Sequence, residues 1–173
     1  MSFTIYKSTD ASAPTLNGTV GSLRALLDAC LVDGYGAKSA AGWAESFSGT
    51  NKSVFRPGSG ARHYLRVQDD AAGTGGAKEA LIRGFETMTD VDTGTAPFPT
   101  AAQSTLTSNS LVARKSITAD STARAWIIAA DAATMYCFIL TTDTASAYRA
   151  FGFGDFYSLI SGDTGRSILI GRI

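Results

Sequence analysis

The chain predicts an α+β fold that is mainly antiparallel sheet, with about eight to ten short strands and one amphipathic helix over about residues 20–32. Three observations carry this. Short apolar runs of strand length are separated by Gly, Ser, Thr and Asp. A single stretch repeats with helical period. Strands and helices do not alternate, so parallel βα units are not expected. With 173 residues and an apolar fraction of 45%, one domain with a buried core is expected over 1–173.

The elements follow in order. Phe3-Thr4-Ile5-Tyr6 alternates and reads as a strand. Lys7–Asn17 is rich in Ser, Thr, Asp, Ala and Pro and reads as an extended arm. Leu23, Leu26, Leu27, Cys30 and Leu31 recur at i, i+3, i+4, i+7 and i+8, so they share one helix face. Thr19 is positioned as an N-cap, and Gly34 follows as a helix stop. Trp43–Ser48 and Ser53–Arg56 flank Gly49-Thr50-Asn51-Lys52 as a hairpin with a four-residue loop. His63–Gln68 and Glu79–Thr87 are strands on either side of the loop Asp69–Lys78. Residues 90–107 carry Pro97 and Pro99 and read as a long irregular loop, of the kind that often carries function. Leu111–Ile117 is a weaker strand. Arg124–Asp131 and Thr134–Thr142 are the most apolar strands and suit a hairpin about Ala132-Ala133. Tyr148–Phe153 and Ser167–Ile173 complete the set.

Charge and cysteine content exclude several classes. Lys plus Arg equals Asp plus Glu at 15 each. A nucleic-acid binder normally carries a basic excess or stripe, so none is expected as a partner. No run approaches the roughly 20 apolar residues that span a bilayer. Met1–Asp10 lacks the basic-then-apolar pattern of a secretory signal. Cys30 and Cys137 both lie in apolar surroundings and read as buried thiols, with a disulfide possible only if the helix packs on the strand that carries Cys137.

Several motifs imitate catalytic ones. Asp92-Thr93-Gly94, a second Asp163-Thr164-Gly165 and Leu169-Ile170-Gly171-Arg172 mimic a small dimeric aspartic protease using Asp92. The aspartates do not follow apolar strands, and ordinary turn chemistry accounts for both triplets. Asp90-Val91-Asp92-Thr93 mimics a phosphatase nucleophile, but that chemistry sits on parallel βα units. Asp90 and Asp92, with Asp69 and Asp70, could hold a surface calcium, though the EF-hand spacing is absent. Gly73-Thr74-Gly75-Gly76-Ala77-Lys78 lacks the P-loop spacing and precedes a strand. His63 is the only histidine, and no Gly-x-Ser-x-Gly elbow accompanies it. No catalytic residue, cofactor, metal or small-molecule substrate is expected. Tyr148, Phe151, Phe153, Phe156 and Tyr157 form the densest aromatic cluster. With Leu16, Phe98 and Leu106 from the arm and the long loop, they are candidates for an interface.

Several longer strings carry a family resemblance. They are Tyr6-Lys7-Ser8-Thr9-Asp10-Ala11-Ser12-Ala13-Pro14, Val20-Gly21-Ser22-Leu23, Leu26–Val32, Gly34-Tyr35-Gly36, Ala41-Gly42-Trp43, Tyr64–Asp70, Met88–Gly94 and Pro97-Phe98-Pro99-Thr100. Over most of its length the chain resembles a family of virion structural proteins of tailed bacteriophages. The resemblance implies a non-enzymatic particle component assembled in the host cytoplasm. Its partners would be other virion proteins and further copies of itself, in a homo-oligomer. Capsid decoration is the closest match in size, followed by a tail or connector position. A host-surface or glycan-binding module using the aromatic cluster is the alternative from another class.

Overall fold

The computed structural model describes residues 2–104, 109–140, 149–155, 161 and 166–171. Among the described residues eleven strands form two antiparallel sheets. β1 (Thr4–Lys7), β8 (Ala125–Ala130), β9 (Thr134–Leu140), β10 (Ala150–Asp155) and β11 (Arg166–Gly171) make a five-stranded sheet in the order β1-β8-β9-β10-β11. β2 (Ala44–Gly49), β3 (Lys52–Arg56), β4 (Tyr64–Gln68), β5 (Glu79–Asp90) and β6 (Thr93–Phe98) follow one another in the second. The far edge of the long strand β5 is shared. β7 (Leu111–Arg114) pairs with Glu79–Ile82, and β6 pairs from Gly84 onward. The fold is thus α+β and mainly antiparallel β, as the alternation and the lone helical period predict.

The sheets meet over one core. From the five-stranded sheet come Tyr6, Trp126, Ile128, Met135, Cys137 and Ile139; from the other come Phe55, Leu65, Val67, Ala80 and Ile82. The helix α1 (Ser22–Asp28) continues as a π-helical turn, Ala29–Asp33, and its stripe Leu23, Leu26, Leu27, Cys30 and Leu31 is fully buried in the same core. Both indoles are buried with their N–H groups satisfied. Trp126 donates to the Pro14 carbonyl at 3.1 Å and Trp43 to the Asp131 carbonyl at 2.7 Å, as an aromatic with a polar handle requires.

The helix start differs from the expected one. Gly21, at φ +79°, is the N-cap residue and offers no side chain; that left-handed turn suits glycine. The cap comes from elsewhere. Asp69, just past β4, accepts the N–H of Leu23 at 2.8 Å and of Arg24 at 3.4 Å through Oδ2. Its carbonyl accepts the N–H of Gly21 at 2.8 Å. Through Oδ1 it pairs with Lys115, whose Nζ also donates to the Thr19 carbonyl. Both side chains of this ion pair are fully buried. Thr19 therefore does not cap the helix through its hydroxyl, which bonds Asn17 instead. Gly34 ends the helix with φ +80° but ψ 170°, so it exits in an extended rather than helical left-handed conformation.

Two further segments depart from expectation. Lys7–Asn17 is not a free arm. Ser8 donates to the Trp126 carbonyl, the Leu16 carbonyl accepts the N–H of Arg124, and the Tyr35 hydroxyl donates to Asp10 at 2.9 Å. Leu16 is fully buried. Segment 90–107 is not one irregular loop, because Thr93–Phe98 pairs with β5 as β6. β6 ends the strand order of its sheet, and an edge strand is where a residue such as Pro97 is tolerated. The β2–β3 turn is also tighter than expected, with Thr50-Asn51 between the strands and Asn51 at φ +54°.

The cysteines are unpaired and buried. The helix does pack near the strand that carries Cys137, yet each thiol acts as a small apolar side chain. Burial pushes both thiols well above their ordinary range, so neither is a ready nucleophile.

Leu27 lies wholly in the shared core, so Leu27→Ala is expected to cost about 2–5 kcal/mol in urea unfolding. An unchanged midpoint would place the helix stripe outside the cooperative core.

Candidate functional site

The two sheets have different outer faces. Strand pairing alternates side chains between the faces, so the register assigns each. On the six-stranded sheet Val54, Arg66 and Arg83 lie side by side across β3, β4 and β5, and Arg56, Tyr64 and Phe85 form the neighbouring row. The tip of the β5–β6 hairpin folds back over this face. Val91 packs on a small cluster of Val54, Phe85 and Met88, with Phe47 and Tyr64 beside it. Arg66 Nε donates to the Val91 carbonyl at 2.8 Å, and Arg66 and Lys52 both grip Asp92, with Lys52 3.1 Å from each carboxylate oxygen.

That geometry defines the role of Asp92-Thr93-Gly94. Burial alone would raise the Asp92 carboxyl, but hydrogen bonds and charge from Arg66 and Lys52 outweigh it and hold the group below its ordinary range. A protease dyad works the opposite way, with a second carboxyl raising one of the two. Asp92 is a clamp on the hairpin. Asp163 lies outside the described residues.

The other imitations fare similarly. Asp69 is committed to the helix and Lys115, and among the described residues no group of His, Cys, Asp and Glu could hold a metal ion. The loop about Gly73–Gly75 wraps a carboxylate of its own chain. Glu79 accepts the Gly75 N–H at 2.5 Å and the Thr74 hydroxyl at 3.0 Å, and pairs with Arg114 at 2.8 Å. His63 lines a cleft with Phe98, Phe153 and Asp155, where the two phenyl rings stack at 5.9 Å and 4°. Asp155 Oδ2 accepts the Ala61 N–H at 2.7 Å. The cleft has a volume of about 10 Å³, room for roughly one water molecule.

The described members of the interface set expected from sequence lie in or against the core. Leu16, Phe151 and Phe153 are core residues, and Phe98 packs half-buried on Phe153. The register turns Phe151 and Phe153 inward, opposite Cys137 and Met135. Leu106, Tyr148, Phe156 and Tyr157 lie outside the described residues.

The surface that sequence reasoning passed over is the outer face of the five-stranded sheet. Register places Ile5, Ala129, Tyr136 and Gly152 in one row and Lys7, Ile127, Phe138 and Ala150 in the next. Leu140 continues the face and is 54% exposed, while Phe3 and Ile5 are each 40% exposed. The Phe3 ring lies 5.9 Å from that of Tyr136. Among the described side chains of this face Lys7 is the one charge. The sign of it was present in Ala125–Ala130 and Thr134–Leu140, which are apolar at nearly every position. A half-solvated strand would alternate; strands apolar on both faces belong to sheets covered on both faces.

Compared with protein-family models, curated proteins and solved structures, the chain has no match. Among the described residues no helix is long and apolar enough to cross a membrane.

The Asp92 clamp gives a pH-dependent prediction. Its folded-state pKa is depressed, so its contribution is complete above the ordinary carboxylate value and is lost as pH falls through the lowered one. Asp92 is half-exposed, so Asp92→Asn is expected to cost under about 1 kcal/mol at neutral pH. Thermal midpoints of the variant and the natural protein should converge as pH falls through that lowered value. A gap that persists or widens in acid would contradict the clamp.

Proposed function

We propose that the chain is a non-enzymatic structural subunit of a tailed-bacteriophage virion, binding copies of itself, the major shell protein, or both. Decoration of the capsid is the position favoured, with a tail or connector position next. One observation carries the assembly role: a five-stranded sheet whose outward face, in its described part, is apolar and nearly free of charge. A surface of that kind marks a contact with another macromolecule. The sequence resemblance supports the kind of particle. The glycan-binding alternative draws no support from the described aromatics, since Phe151 and Phe153 face the core.

Electron microscopy of intact particles labelled with an antibody fragment against the chain tests this. A regular array of label on the head is the expected result. Label on the tail or neck would keep the class and move the position. Absence of the chain from purified particles by mass spectrometry would overturn the reading.

A further inference from the structure

We propose that the outer face of the β1-β8-β9-β10-β11 sheet is covered by the same face of a second copy, in a face-to-face sheet pair. This deepens the reading of the chain as an assembly subunit and rests on it for the expectation that the partner is a protein of the particle.

The choice of occupant comes from charge, area and edge chemistry. Ile5, Ile127, Tyr136, Phe138 and Leu140 offer a partner apolar contact, and Lys7 at the border is the one charge among the described side chains there. A charged partner surface would lose its hydration against this face and find no counter-charge, which is costly. The occupant must therefore be apolar and uncharged as well, and an identical face meets that condition. The chain carries 15 basic and 15 acidic residues, so two copies approach without net repulsion.

The size is adequate. Five strands spaced about 4.8 Å apart, with central strands six or seven residues long, give a face of about 24 by 20 Å. Covering it on both copies removes on the order of 1,000 Å² in projection, and more with the corrugation of side chains; this reaches the lower bound for a specific interface. Stacked sheets about 10 Å apart are a standard packing of apolar faces.

The alternative of edge-to-edge joining is obstructed at β1. Its outward-pointing Ile5 carbonyl accepts the Lys38 ammonium at 2.9 Å, and its Lys7 N–H donates to Asp10 at 2.9 Å. A strand edge whose groups are already bonded is a poor template for another chain. Phe3, Ile5 and Leu140 of the face are exposed, while that edge is closed.

Sedimentation equilibrium of the pure full chain tests the proposal. The natural protein is expected to be a dimer of the 18.0 kDa chain at micromolar concentration. Ile5→Lys combined with Leu140→Lys should raise the dissociation constant at least about 100-fold, because each lysine would be desolvated without a partner. Val20→Lys, at an exposed apolar residue outside this sheet, should leave the dimer intact. Tyr136→Ser, which removes apolar area and adds no charge, should weaken the dimer by a smaller factor. That keeps the test decisive if the double-lysine variant fails to fold. A natural protein that stays monomeric at tens of micromolar would overturn the proposal, as would a dimer indifferent to both the lysine and the serine changes. A dimer that responds as expected in a chain missing from virions would uphold the face and refute the particle assignment.

Discussion

The fold depends on one buried aspartate with four obligations. Asp69 caps the first turn of α1, bonds Gly21 through its carbonyl, and pairs with Lys115 beyond β7. Its own N–H donates to the Asn51 carbonyl in the β2–β3 turn. Three separate segments thus converge on one residue with no solvent access. Burial pushes the Asp69 carboxyl up and the Lys115 ammonium down, while each draws the other back toward its charged form. Such a pair adds little net stability compared with an apolar pair of the same shape, but losing one partner strands a charge in the core. Its effect is to fix where the helix starts, and so which residues of the Leu stripe enter the space between the sheets.

With the helix located, the remaining surfaces are divided. The six-stranded sheet covers its outer apolar cluster with its own hairpin, held by Arg66, Lys52 and Asp92. The five-stranded sheet leaves Phe3, Ile5 and Leu140 open. Two sheets of one sandwich thus resolve the same hydrophobic problem differently, one within the chain and one, in our proposal, between chains. Burying apolar area contributes about 25 cal/mol per Å², so an uncovered face of this kind is a strong drive to association.

Much of the fold was legible because periodicity is local. The Leu23–Leu31 stripe, the hairpin about Ala132-Ala133 and the strands through Leu65–Val67 and Trp126–Ile128 all announce themselves within a few residues. The arm and the 90–107 segment did not. Leu16 looked like an isolated apolar residue in a polar stretch, and the bridge that seats it joins it to Arg124, which is distant in sequence. Thr93–Phe98 is an edge strand, where Pro97 is permitted and the usual penalty against proline in strands misleads. The helix cap was hidden for the same reason, since Leu23 and Asp69 are 46 positions apart. For the candidate site, the aromatic residues of β10 drew attention by type, although strand parity turns Phe151 and Phe153 inward. The more telling signal was the absence of alternation in β8 and β9, which a reading focused on chemistry-bearing side chains passes over.

The central claim is that Asp69 and Lys115 act as one unit on which the placement of the helix depends. A double-mutant cycle in urea unfolding tests it most directly. Lys115→Met alone should cost about 3–5 kcal/mol, because it leaves a carboxylate buried without its counter-charge. Adding Asp69→Asn should recover part of that loss, with a coupling of about 1–3 kcal/mol between the two sites. Strictly additive effects, or a Lys115→Met variant as stable as the natural protein, would contradict the account.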